Sequence, residues 1–229
     1  IIQIFNNSIM DNGLTLNAGS NTNITVNFSV YDAQGATDLN SSTADLNISK
    51  NKETTRANYS CQQTTASGNY ANYSCIVSMY WYDIDGAWSI GANISDNGGL
   101  LTNNASTSIV INPTTGFSLA PSLLSLGTIS PNSYNNTVPS FLLLNNTGNQ
   151  NIVLGNIAVN STHLEGEKDN TKQFSSGNFT VSNTTSAEKA ECHLGSYSSG
   201  MATTMNATSG ASYTAIRGAN MSRGDFTQN

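Results

Sequence analysis

The stretch Asn23-Ile-Thr-Val-Asn-Phe-Ser-Val-Tyr31 alternates polar and apolar residues along its whole length. Successive side chains of an extended strand point to opposite faces, so Ile24, Val26, Phe28 and Val30 share one side and Asn23, Thr25, Asn27 and Ser29 the other. A helix would spread the same apolar residues around its circumference. The stretch therefore reads as a half-buried strand. The same period recurs in Ile1 to Phe5, Ala44 to Ser49, Tyr73 to Tyr82, Ala87 to Ser95 and Ser106 to Ile111. Asp32-Ala-Gln-Gly35, Asp83-Ile-Asp-Gly86 and Asp96-Asn-Gly-Gly99 punctuate them with residues that favour turns. No stretch of helical length carries an apolar stripe, so the chain reads as all-β. Short strands at this density over about 110 residues have the arithmetic of a β-sandwich.

The chain has 229 residues, which predicts two compact units at roughly 100 to 200 residues each. Only a tenth of the residues are charged, against about a quarter in an ordinary soluble protein, so the usual cytosolic enzyme profile is disfavoured. Neutral polar residues fill the gap: 33 Asn, 31 Ser and 26 Thr. The net charge is −6, and the bases Lys50, Lys52, Arg56, Lys168, Lys172, Lys189, Arg217 and Arg223 are scattered. No row of them could neutralise a phosphate backbone, so no nucleic-acid partner is expected. The longest apolar run, Phe141 to Leu144, falls far short of the roughly 20 residues of a membrane span. No charged, apolar and small-residue leader opens the sequence, so any export signal is expected to have been removed or never present.

The glycan-acceptor pattern N-x-[ST] occurs at Asn6, Asn23, Asn27, Asn40, Asn47, Asn58, Asn72, Asn93, Asn104, Asn135, Asn145, Asn160, Asn178, Asn183, Asn206 and Asn220. So much Ser and Thr would create about eight such sites by chance, so half of the list needs no explanation and the excess is about twofold. Direction is a sharper test, because a glycan fits only the wet face of a strand. Alternation turns Asn27, Asn47, Asn93, Asn160 and Asn178 away from their apolar neighbours and toward solvent. Polar residues occupy that face in any case, and the direction of these five is consistent with N-glycosylation.

Cys61 and Cys75 flank a polar, glycine-containing stretch, Gln62 to Ser74, that reads as a hairpin whose ends meet. A disulfide there would close a loop of about 15 residues, stabilise by roughly 3 kcal/mol and require an oxidising compartment. The alternative is a pair of buried thiols. Cys192 is left over beside His193. Adjacent strand side chains point oppositely and His163 is the only other histidine, so no four-ligand zinc set can be assembled.

Two segments carry a resemblance. Val26 to Asp38 (VNFSVYDAQGATD) and Gly86 to Gly98 (GAWSIGANISDNG) resemble paired strands of immunoglobulin-like modules that are common in prokaryotic, especially archaeal, surface proteins. The resemblance implies that Trp88, Ile90, Ala92 and Ile94 are core residues. After Asn112-Pro113-Thr-Thr-Gly116, which reads as a linker, come Leu126-Gly-Thr-Ile129, Phe141 to Leu144, the turn Asn145-Asn-Thr-Gly-Asn149, and Ile152, Leu154, Ile157 and Val159. That order is similar to immunoglobulin-like modules of the ASPM, SPD-2 and Hydin type. Two tandem immunoglobulin-like β-sandwich domains are implied, over 1–113 and 114–229. The second lacks a clear closing strand, so either the polypeptide continues or a neighbour completes the sheet.

Chemistry is sparse. No G-x-S-x-G, P-loop, G-x-G-x-x-G or H-E-x-x-H pattern is present, and general acid–base work has only two histidines to draw on. Asp83 and Asp85 could pair as glycosidase carboxylates, but both lie in a turn, where Asp is favoured for its own backbone bonds. Glu165, Glu167 and Asp169 form an acidic loop that matches no EF-hand spacing. Tyr80-Trp81-Tyr82 could stack on sugars, although alternation predicts one inward ring and two outward ones. No catalytic residue, metal or cofactor is expected.

These readings converge on an extracellular structural subunit, a glycan-coated building block of a cell-surface filament or layer. Its partners would be copies of itself and covalent N-linked glycans. Sandwiches leave edge strands that another chain can extend, so assembly by strand addition is expected, with Ile1, Ile2, Ile4 and Phe5 as the candidate donor strand. The same segment also reads as an ordinary first strand of its own sandwich. The alternative function is an adhesin or carbohydrate-binding fragment of a larger surface protein.

Overall fold

The computed structural model describes residues 1–5, 12–125, 127–130, 132, 142–159, 162–176, 179–182, 202–204, 214–216 and 219–224. The fold is all-β, built from antiparallel sheets, and a 3₁₀ turn at Ala36–Asp38 precedes the third strand. The chain divides into two compact units, Ile1–Gly116 with Thr147–Gln150, and Phe117–Asn146 with Asn151–Asn229. No described helix is long and apolar enough to cross a membrane.

Eight strands make the first unit: β1 (Ile2–Ile4), β2 (Thr22–Tyr31), β3 (Leu39–Ser49), β4 (Arg56–Asn58), β5 (Gln62–Ser67), β6 (Tyr70–Met79), β7 (Gly86–Asp96) and β8 (Leu101–Ile111). They form two four-stranded sheets in the orders β1-β2-β6-β5 and β4-β3-β7-β8. Between the sheets lies one apolar cluster, and the alternation in β2 explains its first layer: Ile24, Val26, Phe28 and Val30 are all buried. Ala71, Tyr73, Cys75, Val77 and Met79 of β6 extend that layer. Leu46 and Ile48 of β3, Trp88, Ile90, Ala92 and Ile94 of β7, and Ile109 and Ile111 of β8 face it. Each fully buried Val, Leu, Ile, Met or Phe side chain of this set contributes about 1.5–3 kcal/mol.

Polar groups inside the layer have partners. Trp88 donates its indole N–H to the Ile84 carbonyl at 2.8 Å. Tyr73 stacks on Phe28 with ring centroids 5.2 Å apart and shares a hydrogen bond with Ser41 Oγ at 2.9 Å. Burial pushes the Tyr73 phenol above its ordinary pKa, and the Ser41 bond offsets this only in part.

Several boundaries differ from the sequence reading. The strand expected over Tyr73 to Tyr82 runs Tyr70–Met79, because Asp83 N–H bonds the Tyr80 carbonyl and turns the chain. The last strand of the unit begins at Leu101, five residues earlier than expected at Ser106. β4 was not expected, and β5 was expected only as the first arm of the Gln62 to Ser74 hairpin. All six residues of β5 are exposed, so it carries no apolar alternation, and its pairing with β6 rests on backbone hydrogen bonds joined by Thr64 Oγ1 to the Asn72 carbonyl and Asn72 Nδ2 to Thr65 Oγ1. The Gln62 to Ser74 stretch is a hairpin as expected, turning through Gly68 at φ +56°. A disulfide joins Cys61 to Cys75 with Cα atoms 4.6 Å apart.

The second unit is built from β9 (Phe117–Ala120), β10 (Leu143–Asn146), β11 (Ala158–Val159), β12 (Leu164–Glu165), β13 (Gln173–Phe174), β14 (Thr180–Ser182), β15 (Ala202–Thr204) and β16 (Thr214–Ala215). These pair as β9 with β10, β11 with β16, β12 with β13 and β14 with β15. Among the described residues its one buried apolar side chain is Ala219. The apolar run Phe141 to Leu144 contributes Leu143 and Leu144 to β10, with Phe141 outside the described residues.

Candidate functional site

Ten of the sixteen sequon asparagines lie within the described residues, and none of the ten is buried. Asn23, Asn27 and Asn220 are exposed, while Asn40, Asn47, Asn58, Asn72, Asn93, Asn104 and Asn145 are intermediate. Asn6, Asn135, Asn160, Asn178, Asn183 and Asn206 lie outside the described residues. The ten differ in what their amides do. Asn58 donates Nδ2 to the Ile76 carbonyl at 2.9 Å, Asn72 to Thr65 Oγ1 at 2.8 Å, Asn93 to Asp45 Oδ1 at 2.6 Å and Asn104 to the Ile2 carbonyl at 2.7 Å. Asn40 Oδ1 accepts from Ser42 and Asn23 Oδ1 from Ser78. The Asn47 amide lies over Gly91, where an added Cβ would stand 2.9 Å from Oδ1.

The outer face of the β1-β2-β6-β5 sheet arranges three of these sequons as a ladder. Register pairs Asn23 with Ser78, Thr25 with Ile76, Asn27 with Ser74, Ser29 with Asn72 and Tyr31 with Tyr70. The sequons Asn27-Phe-Ser29 and Asn72-Tyr-Ser74 thus oppose each other in reverse, each asparagine across from the other's serine. Their middle residues, Phe28 and Tyr73, are the stacked pair in the core. Alternation accounts for both facts, since one period puts the acceptor amides in water and the central rings in the interior. On β1, Gln3 lies opposite Ser29, and Phe5 N–H bonds the Asn27 carbonyl at 2.9 Å.

Ile1, Ile2, Ile4 and Phe5 lie against their own chain. Ile2 pairs with Val30 and Ile4 with Phe28, with both isoleucines buried.

The aromatic run falls in the turn after β6. Trp81 is buried, and its ring meets Tyr82 edge-on at 5.2 Å. Tyr80 and Tyr82 stack at 5.4 Å, and the Arg56 guanidinium lies over them at 4.2 and 5.7 Å. Arg56 Nη2 meets Asp83 Oδ1 at 2.5 Å, and Asp83 Oδ2 also accepts the Tyr80 N–H at 2.8 Å. Burial works to lower the Arg56 pKa, but the Asp83 hydrogen bond and charge outweigh it and hold the guanidinium above its ordinary value. Asp83 therefore ties β4 to this turn. Trp81 offers no open ring to a sugar.

Asp32, Asp38 and Asp96 bring carboxylate oxygens within 4.8 Å of one another. Each has turn duties nearby: Asp32 Oδ1 accepts Gln34 N–H at 2.7 Å, Asp96 Oδ1 accepts Leu100 N–H at 2.8 Å, and the Asp38 carbonyl accepts Asn97 N–H at 2.7 Å. Three such oxygens are a partial ligand set for a hard cation, which takes six or more. Sequence reading missed the cluster because it placed Asp32 and Asp96 in separate turns and gave Asp38 none; the signal was that all three residues lie at strand ends. Glu165, Glu167 and Asp169 sit at the β12–β13 hairpin, where Thr171 bonds Asp169 through Oγ1 and N–H and holds its carboxyl below the usual range. His163 Nδ1 accepts the Ser176 N–H at 3.1 Å. Cys192 and His193 lie outside the described residues. Comparison with protein-family models, with curated proteins and with solved structures found no match to this chain.

Proposed function

We propose that this chain is a structural subunit of an extracellular, N-glycosylated cell-surface filament or layer, without catalytic activity, assembled by β-strand addition. The observation that carries the reading is the sequon ladder, with acceptor amides on the wet face of a sheet whose inner face is the core. The Cys61–Cys75 disulfide supports an oxidising compartment.

The fold fits the role. Lettering β1 to β8 as A, B, C, C′, D, E, F and G turns the two sheets into A-B-E-D and C′-C-F-G, the order of an immunoglobulin-like sandwich. The segment read from the sequence as the second domain, 114–229, is proposed as a further immunoglobulin-like module of the ASPM, SPD-2 and Hydin type. The end strands β5 and β4 pair on one side only and leave backbone groups on the other for another chain. Exchange of Ile1 to Phe5 would place the same five residues on β2 of a neighbour, keeping every contact they make within the chain.

Electron microscopy of native material, combined with intact mass before and after deglycosylation, tests both halves. Filaments or layers with excess mass are expected. A monomer at bare polypeptide mass would overturn the reading.

A further inference from the structure

We propose that a groove on the outer face of the first sheet is a saccharide subsite, and that its occupant is the glycan borne by Asn27. The inference rests on the glycoprotein reading above and goes beyond it by assigning one sugar a place on the protein.

The groove encloses about 410 Å³ and is lined by Ile1, Gln3, Ser29, Tyr31 and Tyr70. That volume lies within the roughly 300–1,000 Å³ of small-molecule sites. Its composition suits a neutral pyranose. Tyr31 and Tyr70 meet edge to face with centroids 5.1 Å apart, and Tyr70 is 57% exposed, so ring surface is available to the C–H face of a sugar. Gln3 and Ser29 offer an amide and a hydroxyl to its hydroxyl groups. No charged side chain lines the groove.

Position selects the source. Asn27, Ser29 and Tyr31 follow one another on the same face of β2, so Asn27 stands about 14 Å from Tyr31 at about 3.4 Å per residue. An asparagine side chain followed by two sugar rings spans that distance. Asn27 is exposed and points to solvent. Asn72 stands nearer, across from Ser29, but its Nδ2 is directed to Thr65 Oγ1 on β5, on the side away from β1. The glycan of Asn27 would therefore run along β2 over Ser29 and Gln3 and lay its second ring against the tyrosines.

The test uses the glycoprotein as isolated from its source, with glycopeptide mapping first and then nuclear Overhauser contacts between tyrosine ring protons and sugar protons. A glycan on Asn27, with contacts to Tyr31 and Tyr70 that vanish in Asn27→Gln and persist in Asn72→Gln, is the expected result. The same chain made without glycans and titrated with cellobiose should show perturbation at both tyrosines, weakened about tenfold in Tyr70→Ala, the equivalent of about 1.4 kcal/mol. A glycan on Asn27 without ring contacts, or contacts that survive Asn27→Gln, overturns the subsite while leaving the glycoprotein reading intact. A chain with no sugar at any sequon overturns both.

Discussion

Arg56 Nη2 lies 2.5 Å from Oδ1 of Asp83, whose side chain has no solvent exposure, so a charge from β4 neutralises a carboxylate enclosed behind the turn after β6. Removing the guanidinium strands that carboxylate. Arg56→Ala is expected to destabilise the first unit by about 3–5 kcal/mol, as breaking a buried pair from one side does. Arg56→Lys keeps the charge but loses the fork, since Nε also reaches both carboxylate oxygens at 3.1 Å, and should fall between Arg56→Ala and the parent chain. Urea unfolding of the three proteins measures the order; equal midpoints would show that Asp83 is held by its turn alone.

The Cys61–Cys75 bridge anchors the start of β5, a strand with no buried side chain. Its loss is expected to cost about 3 kcal/mol on the chain-entropy estimate for a loop of this size. Both sulfurs are buried, so the clean comparison is the double Cys→Ala variant, unfolded in urea beside the parent chain. Hydrogen exchange should locate the damage at β5, with faster exchange there than in β2 or β7.

What was legible in the sequence was whatever alternation encodes. β2, β3 and β7 sit between neighbours and bury alternate apolar residues, so their pattern named the core and, by subtraction, the faces of Asn27, Asn47 and Asn93. β5 was legible only as an arm of the hairpin between Cys61 and Cys75 and not from its own pattern, because an edge strand needs no apolar residue, and Gln62–Ser67 contains only one, Ala66. The Arg56–Asp83 pair and the meeting of Asp32, Asp38 and Asp96 escaped for another reason. They depend on which strand ends the sheet order brings together, and no local pattern carries that. In the second unit none of Ile152, Leu154, Ile157 and Val159 is buried, and Leu154 is 64% exposed.

Tyr73 should make stability fall at alkaline pH. Its phenol is raised in the folded state by burial, so above the ordinary value of about 10 the unfolded chain loses the proton first. Fewer protons bound when unfolded means that stability declines with rising pH. The contribution is fully present below pH 10 and disappears as pH passes the folded value. Tyr73→Phe should remove that part of the alkaline slope while costing about 0.5–1.5 kcal/mol at neutral pH through the lost Ser41 bond. A slope unchanged in Tyr73→Phe would assign it to other groups.

Asp32, Asp38 and Asp96 hold like charges within 4.8 Å. Two unit charges at that separation repel by about 1 kcal/mol in water. Asp38→Asn removes two such repulsions, and no side-chain hydrogen bond of Asp38 stands among those described. Its melting temperature in a chelating buffer at low salt is expected to rise, with the gain shrinking as ionic strength screens the charges. A variant that is less stable at low salt would assign Asp38 a structural duty in the 3₁₀ turn.

Gly91 and Gly148 are both close-packed, yet alanine should separate them sharply. The atoms nearest a Cβ at Gly91 would be those of the Asn47 amide, the movable end of a side chain, and alanine also relieves the entropic cost of glycine in a strand. Gly91→Ala is expected to be within about 1 kcal/mol of neutral. At Gly148 the added atom would run into the Thr114 carbonyl and the Gly116 nitrogen, which are backbone. That backbone is fixed in turn: Asn149 N–H bonds Thr114 O at 2.9 Å, Asn149 Oδ1 accepts Thr114 N–H at 2.7 Å, and Thr147 N–H bonds Gly116 O at 3.0 Å. Nothing there can yield without breaking hydrogen bonds, so Gly148→Ala should cost about 1–3 kcal/mol or more. Urea midpoints measured side by side decide it, and a tolerated alanine at 148 would mean that Thr147–Gln150 does not pack on Thr114–Gly116.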